Sequence, residues 1–569
     1  MDLLESFSKE IIKQIKKRKI KDQNQFNKLK LELLKRYKVK KIPTNAEITA
    51  FASSFDRNKL RHILSMKPTR TLSGVAVVAV MTKPLPCPHG KCAICPGGVD
   101  SVFGNVPQSY TGKEPATRRA IRNKYNPYLQ VFNRLEQYIA MNRTPDKVEL
   151  IVMGGTFLSF PVSYQNTFVT YSLKAMNDFS KLFFRKGLLD IKKFNEFFEL
   201  PGDIDNKARI KRIHQRILKY KKKSTLEKEQ LLNEKSKVRC VGLTLETRPD
   251  YGMLKHGNQA LKLGCTRIEL GVQSVFPKSL ELIERGHTVG DSIKSIKTLK
   301  DLGFKLNFHY MPGLPKISLE KDLLGMLELF ANEDYKPDML KIYPCMVVKG
   351  TKLYDLWKNK KYKPMTTKEA AALIAEFKQY VPRYCRIMRV QRDIPTFMTE
   401  AGVDRTNLRQ YIDEFMKKHD IKCDCIRCRE AGIKLRDNKI KILKRNIHLV
   451  VDNYKASDGT EFFISFEDLK NDILFGFCRV RVPSQYLRKE ITNDCILVRE
   501  LHVYGETTEL GQKGLVQHKG MGRALLREAE RIAKMYWKKR VVVISGIGVR
   551  PYYKKLGYKR EGPYMVKRL

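Results

Sequence analysis

The segment from Gly74 to Gly98 constrains this chain more than any other. Its β-branched and small apolar residues, Val75 to Val80, are typical of a buried parallel strand. The loop that follows is broken by Pro and Gly and carries Cys87, Cys92 and Cys95. Three thiolates on so short a loop suit an iron–sulfur cluster that keeps one iron open to a small molecule. Structural zinc and disulfide bonds are the alternatives, although zinc sites more often use a second, distant cysteine pair.

The net charge is the second constraint. The chain of 569 residues is long enough for several domains with substantial cores. Lys and Arg number 110 against 60 Asp and Glu, which gives +50. This excess favours a polyanionic partner, nucleic acid before membrane. Lys-rich composition also occurs in proteins adapted to heat, so the charge has two interpretations.

Cysteine usage and hydropathy indicate the compartment. The first residues lack the basic start and apolar core of a signal peptide. No window of the sequence reaches the roughly 18 uncharged apolar residues of a membrane span. Six of the 12 cysteines fall in two tight triplets, which is a metal signature of a reducing compartment. The sequence therefore predicts a soluble, cytoplasmic protein.

Residues 1–73 are predicted to form a basic helical region. Leu3, Phe7 and Ile11 recur at helical spacing, and basic residues crowd the intervening positions as far as Lys41. A solvated lysine face and an arm that faces RNA both fit this pattern. The segment from Thr44 to Glu47 predicts a capping box that begins a short helix.

Residues 74–395 alternate apolar strands with helical stretches. This alternation predicts an α/β domain with a parallel sheet, a full or partial TIM-like barrel. The clearest predicted strands are Val148–Met153, Val238–Leu245, Arg267–Leu270, Lys305–Tyr310 and Leu340–Tyr343. Within this domain, residues 181–237 are predicted to be a basic helical insertion, and a solvated surface helix is its simplest interpretation.

Polar motifs recur where the predicted strands end, the place at which barrels of this kind carry their chemistry. They are Gly154-Gly155-Thr156, Glu246-Thr247-Arg248-Pro249, Gln273-Ser274, the pair Asn307 and His309, and Met311-Pro312-Gly313. Ordinary turn chemistry explains any one of them alone. Their recurrence at corresponding places indicates a site.

Residues 396–445 form a predicted linker with a second cysteine triplet, Cys423, Cys425 and Cys428. In C-x-C-x2-C the side chains point in different directions, so the three thiols cannot all be core residues. The spacing favours structural zinc over free thiols. The candidates for the fourth ligand are His419, Cys385 and His448.

Residues 446–569 carry the motifs of a further domain. A predicted strand, Cys495–Val503, precedes a loop that ends in Gly520-Met521-Gly522 at the start of an amphipathic helix. Glycines let the backbone approach a pyrophosphate, and the free N–H groups of a helix N-terminus attract the anion. A later strand, Val541–Ser545, and an aromatic segment from Tyr552 to Tyr558 complete the pattern.

These motifs resemble those of known protein families. The first cysteine loop resembles that of radical S-adenosylmethionine (SAM) enzymes, with C-x4-C-x2-C in place of the usual C-x3-C-x2-C. Cys95-Pro96-Gly97-Gly98 and Gln108-Ser109-Tyr110-Thr111-Gly112 are similar to motifs of the catalytic subunit of Elongator, here of archaeal type. The C-terminal motifs look like a GNAT acetyltransferase domain. The resemblance extends from residue 68 to Leu569.

The resemblance implies cofactors and site residues. Cys87, Cys92 and Cys95 would hold a 4Fe–4S cluster, and Gly154, Gly155 and Thr156 would bind SAM. The implied acetyl-CoA contacts are Lys147, Arg499, Glu500, Leu501, His502, Gly520, Met521, Gly522 and Tyr552. Of these, Lys147 and Tyr552 would be catalytic. Tyr552 would correspond to the GNAT tyrosine that acts as general acid toward the leaving thiolate.

The implied reaction converts the wobble uridine of tRNA to 5-carboxymethyluridine. A SAM-derived radical would abstract hydrogen from the acetyl methyl group, and the resulting carbon radical would add to the uracil. The tRNA anticodon stem-loop would then be the main partner, and the sequence leaves open a homodimer and other Elongator subunits. A protein lysine acetyltransferase is the alternative, although a strongly basic chain repels basic substrates. A non-catalytic RNA-binding scaffold would not need the cysteines.

Overall fold

The computed structural model describes residues 3–20, 22–37, 42–64, 74–203, 206–437, 444–504 and 520–569. The chain divides into two compact units. The first comprises Met1–Val78, Pro127–Val148 and Thr170–Cys240, and the second comprises Ala79–Asn126, Glu149–Val169 and Val241–Leu569. Within the described ranges, every helix is too short or too polar to cross a membrane.

Helices and strands alternate through most of the described chain. The helices are α1 (Leu3–Lys17), α2 (Gln23–Tyr37), α3 (Asn45–Ala50), α4 (Ser54–Lys59), α5 (Arg61–Leu64), α6 (Pro115–Arg122), α7 (Pro127–Ala140), α8 (Val162–Phe183), α9 (Ile191–Phe198), α10 (Lys207–Leu218), α11 (Leu226–Asn233), α12 (Leu254–Leu263), α13 (Pro277–Leu282), α14 (Val289–Asp301), α15 (Leu319–Ala331), α16 (Lys352–Lys358), α17 (Thr367–Lys378), α18 (Leu408–Lys418), α19 (Ile426–Arg429), α20 (Ala431–Asp437), α21 (Met521–Met535) and α22 (Arg550–Lys554). The strands are β1 (Val75–Met81), β2 (Lys147–Met153), β3 (Phe184–Arg185), β4 (Leu188–Leu189), β5 (Arg239–Thr247), β6 (Arg267–Gln273), β7 (Lys305–Tyr310), β8 (Met339–Ile342), β9 (Arg386–Arg389), β10 (Ile447–Ala456), β11 (Gly459–Asp468), β12 (Ile473–Val482), β13 (Cys495–Val503), β14 (Arg540–Val543), β15 (Lys559–Glu561) and β16 (Tyr564–Arg568).

The first unit begins with α1 to α5, which share one apolar core. Helix α1 buries Phe7, Ile11 and Ile15 on a single face, as their spacing predicts, but Leu3 at its first position is 49% exposed. The predicted capping box is confirmed at α3. The Glu47 N–H donates to the Thr44 hydroxyl at 3.2 Å, and the Thr44 N–H donates to the Glu47 carboxylate at 2.6 Å. Lys38, Lys40 and Lys41 lie outside the described residues.

The region 181–237 contains the β3–β4 hairpin and helices α9 to α11. Its interior is aromatic, since the rings of Phe183, Phe194 and Phe198 pack within 5.5 Å of one another, centroid to centroid. Helix α10 is held to α7 of the same unit by Arg209, whose guanidinium lies 3.2 Å from the Glu136 carboxylate. The region therefore has a packed core of its own and an outer face rich in lysine.

Seven strands form one sheet in the order β1-β2-β5-β6-β7-β8-β9. The carboxyl ends of all seven strands belong to the second unit. The pairs from β5 to β9 are parallel, with Glu246 beside Glu269 and Glu269 beside Asn307. With β1 and β9 at opposite ends of the order, the sheet is a half-barrel, so the partial form of the predicted barrel is the observed one. Strand β7 has the predicted bounds.

A second sheet in the same unit has the order β10-β11-β12-β13-β14-β16-β15. Strand β13 pairs with β12 and, in parallel, with β14, but the second pairing covers only Cys495 to Val498. A bulge at Arg499 shifts the register with β12. Within the described chain, the stretch from Arg499 to Val503 therefore has a β-strand neighbour on one side only.

Buried ion pairs join this sheet to the half-barrel. The Arg499 guanidinium donates to both Asp338 oxygens, at 2.9 and 2.5 Å. Arg481 donates to Asp301 at 2.7 Å, and all four side chains are fully buried. The guanidinium group is planar and directional, so these contacts set the orientation of the two sheets as well as their separation.

Candidate functional site

The first cysteine loop leaves β1 and folds back through two backbone turns. The Gly90 N–H donates to the Cys87 carbonyl at 3.0 Å, and the Cys95 N–H donates to the Cys92 carbonyl at 3.0 Å. Pro88 is at the second position of the first turn and Gly90 at its fourth, which are the places these residues favour. The local sequence thus explains the turns between the cysteines.

Polar groups surround the three sulfur atoms. Cys87 Sγ lies 3.9 Å from Thr156 Oγ1, Cys92 Sγ lies 3.1 Å from His89 Nε2 and 3.6 Å from Arg285 Nη1, and Cys95 Sγ lies 3.2 Å from the Ser109 backbone nitrogen and 3.0 Å from Gln108 Oε1. N–H groups aimed at sulfur stabilise thiolates and tune bound metal. Burial raises the pKa of the Cys87 and Cys95 thiols, and a bound metal ion reverses that effect.

The spread of the sulfur atoms distinguishes the two cysteine triplets. Among the described residues, Cys423, Cys425 and Cys428 have sulfur atoms within 4.8 Å of one another, and the cysteines of the first loop do not form such a set. A single zinc ion with bonds of about 2.3 Å needs its sulfur ligands within about 4.6 Å of one another. Each cysteine of a 4Fe–4S cluster binds a different iron, so the first loop fits such a cluster better than one zinc ion.

Gly154, Gly155 and Thr156 lie beside the cysteine loop. Both glycines have positive φ, +123° and +99°, which favours glycine. A Cβ at Gly154 would lie 2.2 Å from Thr82 Oγ1, and one at Gly155 would lie 4.0 Å from Cys87 Sγ. The structure thus brings together two motifs that the sequence separates by about 60 residues. A bound group that contacts both motifs needs them to lie this close together.

Charged side chains cluster at the carboxyl edge of the half-barrel. Ligand atoms of Glu246, Glu269 and His309 lie within 4.8 Å of one another. His309 Nε2 is 2.9 Å from a Glu269 oxygen, and the Lys341 ammonium donates to the same oxygen. The Tyr110 hydroxyl donates to Glu246 at 3.2 Å. Barrel interiors are normally filled with branched apolar residues, so this charged interior indicates a functional role.

Burial and neighbouring charges separate the protonation states of this cluster. Burial raises the pKa of Glu246 to about 7. Burial also raises the pKa of Glu269, but Lys341, His309 and Arg267 together outweigh it and hold the net value well below the usual range. Burial, reinforced by Lys341, lowers the pKa of His309 to about 4. At neutral pH, Glu246 is therefore the member that gains or loses a proton.

Sequence reasoning finds Glu246 and His309 but misses Glu269 and Lys341. Lys341 is the one charged side chain of β8, and Glu269 lies among the apolar residues of β6, which also carries the buried Arg267. Charged residues inside a buried apolar strand are the signal that identifies them, because unpaired charges are rarely buried.

The second triplet fits a structural metal. The Cys425 and Cys428 sulfur atoms are 3.6 Å apart. Hydrogen bonds from Cys423 and Cys428 lower the pKa of Cys425 well below its usual range. Among the described residues, the compact set contains these three sulfurs, and the fourth-ligand candidates are not part of it.

The start of α21 lies close to Tyr552 of α22. Gly520 precedes the helix with φ of +80°, and a Cβ at Gly522 would lie 3.1 Å from the Tyr552 hydroxyl oxygen. Tyr552 is 38% exposed, and burial of the remainder raises its pKa. The structure therefore places two of the predicted acetyl-CoA contacts, Gly522 and Tyr552, side by side. Residues 505–519 of the preceding loop lie outside the described residues.

The other predicted acetyl-CoA contacts differ in what they expose. The side chains of Arg499 and Glu500 are buried in ion pairs with Asp338 and Arg479. Their backbone groups lie on the stretch of β13 that has no β14 neighbour. Lys147 begins β2 in the first unit and is half-buried, and its contact with acetyl-CoA stays a prediction.

Comparison with known proteins places this chain among described families. Residues 87–329 match the Radical SAM superfamily, residues 4–72 the ELP3 N-terminal domain, and residues 337–418 the Radical SAM C-terminal domain. A solved structure, the archaeal Methanocaldococcus infernus Elp3 with an N-terminal deletion (1–46), superposes with a TM-score of 0.72 at 41% identity. The match covers 88% of this chain and 100% of that one.

Full-length relatives agree. The tRNA uridine(34) acetyltransferase of Methanocaldococcus infernus is 45% identical over 572 residues, covering 100% of this chain and 99% of the relative. Elongator complex protein 3 of Mus musculus is 40% identical over 552 residues, covering 95% of this chain and 93% of the relative. The resemblance inferred from the cysteine loop and the motifs after it is confirmed. On this evidence, the chain belongs to the family of tRNA uridine(34) acetyltransferases and Elongator complex protein 3.

Proposed function

We propose that this chain forms 5-carboxymethyluridine at the wobble uridine of tRNA, with acetyl-CoA as the carbon donor and a SAM-derived radical as the initiator. One observation carries the proposal. The three-cysteine loop lies against Gly155 and Thr156 at the carboxyl edge of the half-barrel. Relatives named tRNA uridine(34) acetyltransferases, to which the chain is 45% identical, support the same assignment.

The half-barrel residues would hold the reactive groups and exclude water. Cys87, Cys92 and Cys95 would bind a 4Fe–4S cluster, which supplies the electron for radical formation from SAM. Gly154 and Thr156 would position SAM next to it. Glu246 is half-buried, and desolvation raises its pKa to about 7, so it can hold or release one proton at its carboxylate near neutral pH.

The C-terminal sheet would bind acetyl-CoA as a GNAT domain. Free N–H groups at the start of α21 attract a pyrophosphate, and glycines at 520 and 522 keep the approach open. The backbone of β13 from Arg499 to His502 would bind the pantetheine arm, and Tyr552 would act as general acid. Lys147 would add a further contact to acetyl-CoA. Zinc bound by Cys423, Cys425 and Cys428 would have a structural role.

The basic surface would bind tRNA. A net charge of +50 gives a strong attraction for phosphate, and exposed lysines of α1 and α2 contribute to it. Enzymes that act on a base take it out of the stack, so the wobble uridine would enter the half-barrel from the anticodon loop.

Nucleoside mass spectrometry tests the proposal. Reconstituted protein is incubated anaerobically with tRNA, SAM, reductant and acetyl-CoA, and 5-carboxymethyluridine is expected. Replacement of Cys87, Cys92 and Cys95 by Ala should abolish the product and the iron absorption while CoA binding remains. Cys495→Ala, at a buried cysteine in β13, is the control. Acetylation of a lysine peptide without tRNA, by wild type and cysteine variant alike, would instead support a protein lysine acetyltransferase.

A further inference from the structure

The extra residue in the spacing C-x4-C lies in a turn that directs His89 to the second cysteine. The turn runs from Cys87 to Gly90 and closes with the Gly90 N–H on the Cys87 carbonyl at 3.0 Å. Its third residue is His89, whose Nε2 lies 3.1 Å from Cys92 Sγ. The stretched spacing therefore places an imidazole nitrogen within hydrogen-bond distance of a predicted cluster ligand.

The imidazole of His89 is held in place by a glycine. Gly286 has φ of +74°, and a Cβ there would lie 2.6 Å from the His89 Cβ and 2.7 Å from its Cδ2. The ring thus packs directly on the Gly286 backbone, where any other residue would displace it. The loop on either side is fixed as well, since the Ala93 N–H donates to the Ile283 carbonyl at 2.9 Å.

The chemistry of the ligand determines which way the hydrogen bond runs. A thiolate bound to iron has no proton to give, so His89 must carry its proton on Nε2 and donate it to sulfur. His89 Nδ1 is buried and has no hydrogen-bond partner among the described residues. The contact with Cys92 is therefore the hydrogen bond that orients this ring. Arg285 is a second donor to Cys92, at the longer distance of 3.6 Å.

We propose that His89 is a positioning residue for the cluster, whose Nε2–H donates to Cys92 Sγ, orients that ligand and raises the reduction potential of the bound cluster. Reduction adds one negative charge, and an N–H group aimed at a ligand sulfur stabilises that charge. The proposal rests on the cluster part of the proposed function and is independent of its tRNA and acetyl-CoA steps.

A redox titration of the reconstituted full chain, with dithionite as reductant and electron paramagnetic resonance as readout, tests the proposal. His89→Leu removes the donor, and His89→Gln keeps an N–H group at a similar distance from the backbone. We expect His89→Leu to lower the ratio of reduced to oxidised cluster about tenfold at a fixed potential, about 59 mV for one electron. His89→Gln should stay close to wild type. His214→Gln, in α10 of the first unit and outside both cysteine triplets, is the matched control.

Each outcome has a defined meaning. A reduction potential in His89→Leu equal to that of wild type overturns the proposal. An equal shift in the Leu and Gln variants also overturns it, because the shift would then come from the shape of the side chain and not from its N–H donor. Loss of the cluster from His89→Leu alone supports the proposal, and loss from both variants overturns it. If wild type itself binds no 4Fe–4S cluster, the proposed function fails along with this inference.

Discussion

Single side chains in this protein owe their roles to backbone that approaches them closely. Gly522 illustrates this, because its missing side chain leaves room for the Tyr552 hydroxyl, 3.1 Å from where a Cβ would be. Gly286 does the same for the His89 ring. At both places the glycine permits a contact that any side chain would block.

Gly522→Val should weaken CoA binding at least tenfold, about 1.4 kcal/mol, because the added methyl groups collide with Tyr552 and cover the start of α21. Isothermal titration with CoA measures the effect. Gly290→Val is a matched control, since Gly290 is also the second residue of its helix and faces only Thr288 Oγ1 at 3.6 Å. Equal CoA affinity in wild type and Gly522→Val would place the pyrophosphate elsewhere.

Lys300 is buried in α14 of the second unit, and its ammonium donates to the Lys336 carbonyl at 2.8 Å. Burial lowers its pKa from 10.5 to about 7. Between these values the unfolded chain binds more protons than the folded one, so the free energy of unfolding rises with pH, by up to about 1.4 kcal/mol per pH unit.

Lys300→Met should therefore be more stable than wild type at pH 7, with an advantage that shrinks as pH rises toward 10.5. Urea unfolding at pH 7, 8 and 9 measures the difference. Lys294→Met, at an exposed position of the same helix, should show no such trend. A stability difference between Lys300→Met and wild type that is constant over this pH range would contradict the shifted pKa.

At the scale of elements, sequence periodicity predicts the strands well and their neighbours poorly. Strands Lys305–Tyr310 and Cys495–Val503 have the predicted bounds, because alternating or continuous apolar residues are a local signal. Whether the barrel closes depends on strand order, which no local pattern encodes. The partner of Arg499 is likewise 161 positions away, at Asp338, so the sequence assigns Arg499 to a ligand and not to an ion pair.

The candidate site follows the same division. The cysteines and the strand-end glycines are found because their spacing is itself the signal. Glu269 and Lys341 are missed because a charge within an apolar strand has no meaning until the fold brings its partner from another strand, here from β6 to β8 across β7.

Helices α1 and α2 are the predicted tRNA-binding arm, and their paired and unpaired lysines differ in what they offer a phosphate. Lys16 is paired with Asp56 and Arg18 with Glu32. Truncation of the arm would also expose the apolar core that α1 and α2 share with α3 to α5, so charge removal is the better test. Within α1 and α2, the exposed lysines that form no ion pair with a described residue are Lys13, Lys17, Lys28 and Lys35.

Replacement of these four lysines by Gln should weaken tRNA binding and reduce the slope of log affinity against log salt, by about 0.9 for each phosphate in a paired region that the variant no longer neutralises. Filter binding over a range of salt concentrations measures both. Four exposed lysines of the second unit, Lys358, Lys361, Lys363 and Lys368, provide a control with the same change in net charge. Equal slopes for the two variants would move the tRNA-binding surface away from α1 and α2.

At the scale of the whole molecule, the second unit is held together by charge as well as by apolar packing. Asp338 precedes β8 of the half-barrel and is fully buried, with guanidinium groups of Arg499 and Arg479 against it. Burial raises the pKa of Asp338, but Arg499 and Arg479 outweigh it, so the net shift is downward and the carboxylate stays ionised. Such a carboxylate contributes stability above its unfolded pKa, which is lost as pH falls.

Asp338→Ala should lower the free energy of unfolding by about 3–5 kcal/mol, because two buried arginines lose one of their counter-charges. The double variant Asp338→Leu, Arg499→Met should recover part of this loss, since apolar replacement of a buried pair is often neutral. Asp355→Ala, at an exposed position of α16, is the control. A loss below about 1 kcal/mol in Asp338→Ala would show that the pair is not needed for stability.

The aspartates that neutralise the buried arginines of the C-terminal sheet lie earlier in the chain, which affects how the gene can be divided in evolution. A gene fragment that starts at residue 446 encodes every strand of that sheet but none of the aspartates at 301 and 338. Such a fragment would carry Arg481 and Arg499 with part of their counter-charge missing, at a cost in folding that a fully modular domain does not have. We therefore expect the parts of the second unit before and after residue 446 to be inherited together. Transfer of the C-terminal sheet alone to another protein should succeed only if Arg481 and Arg499 are replaced at the same time.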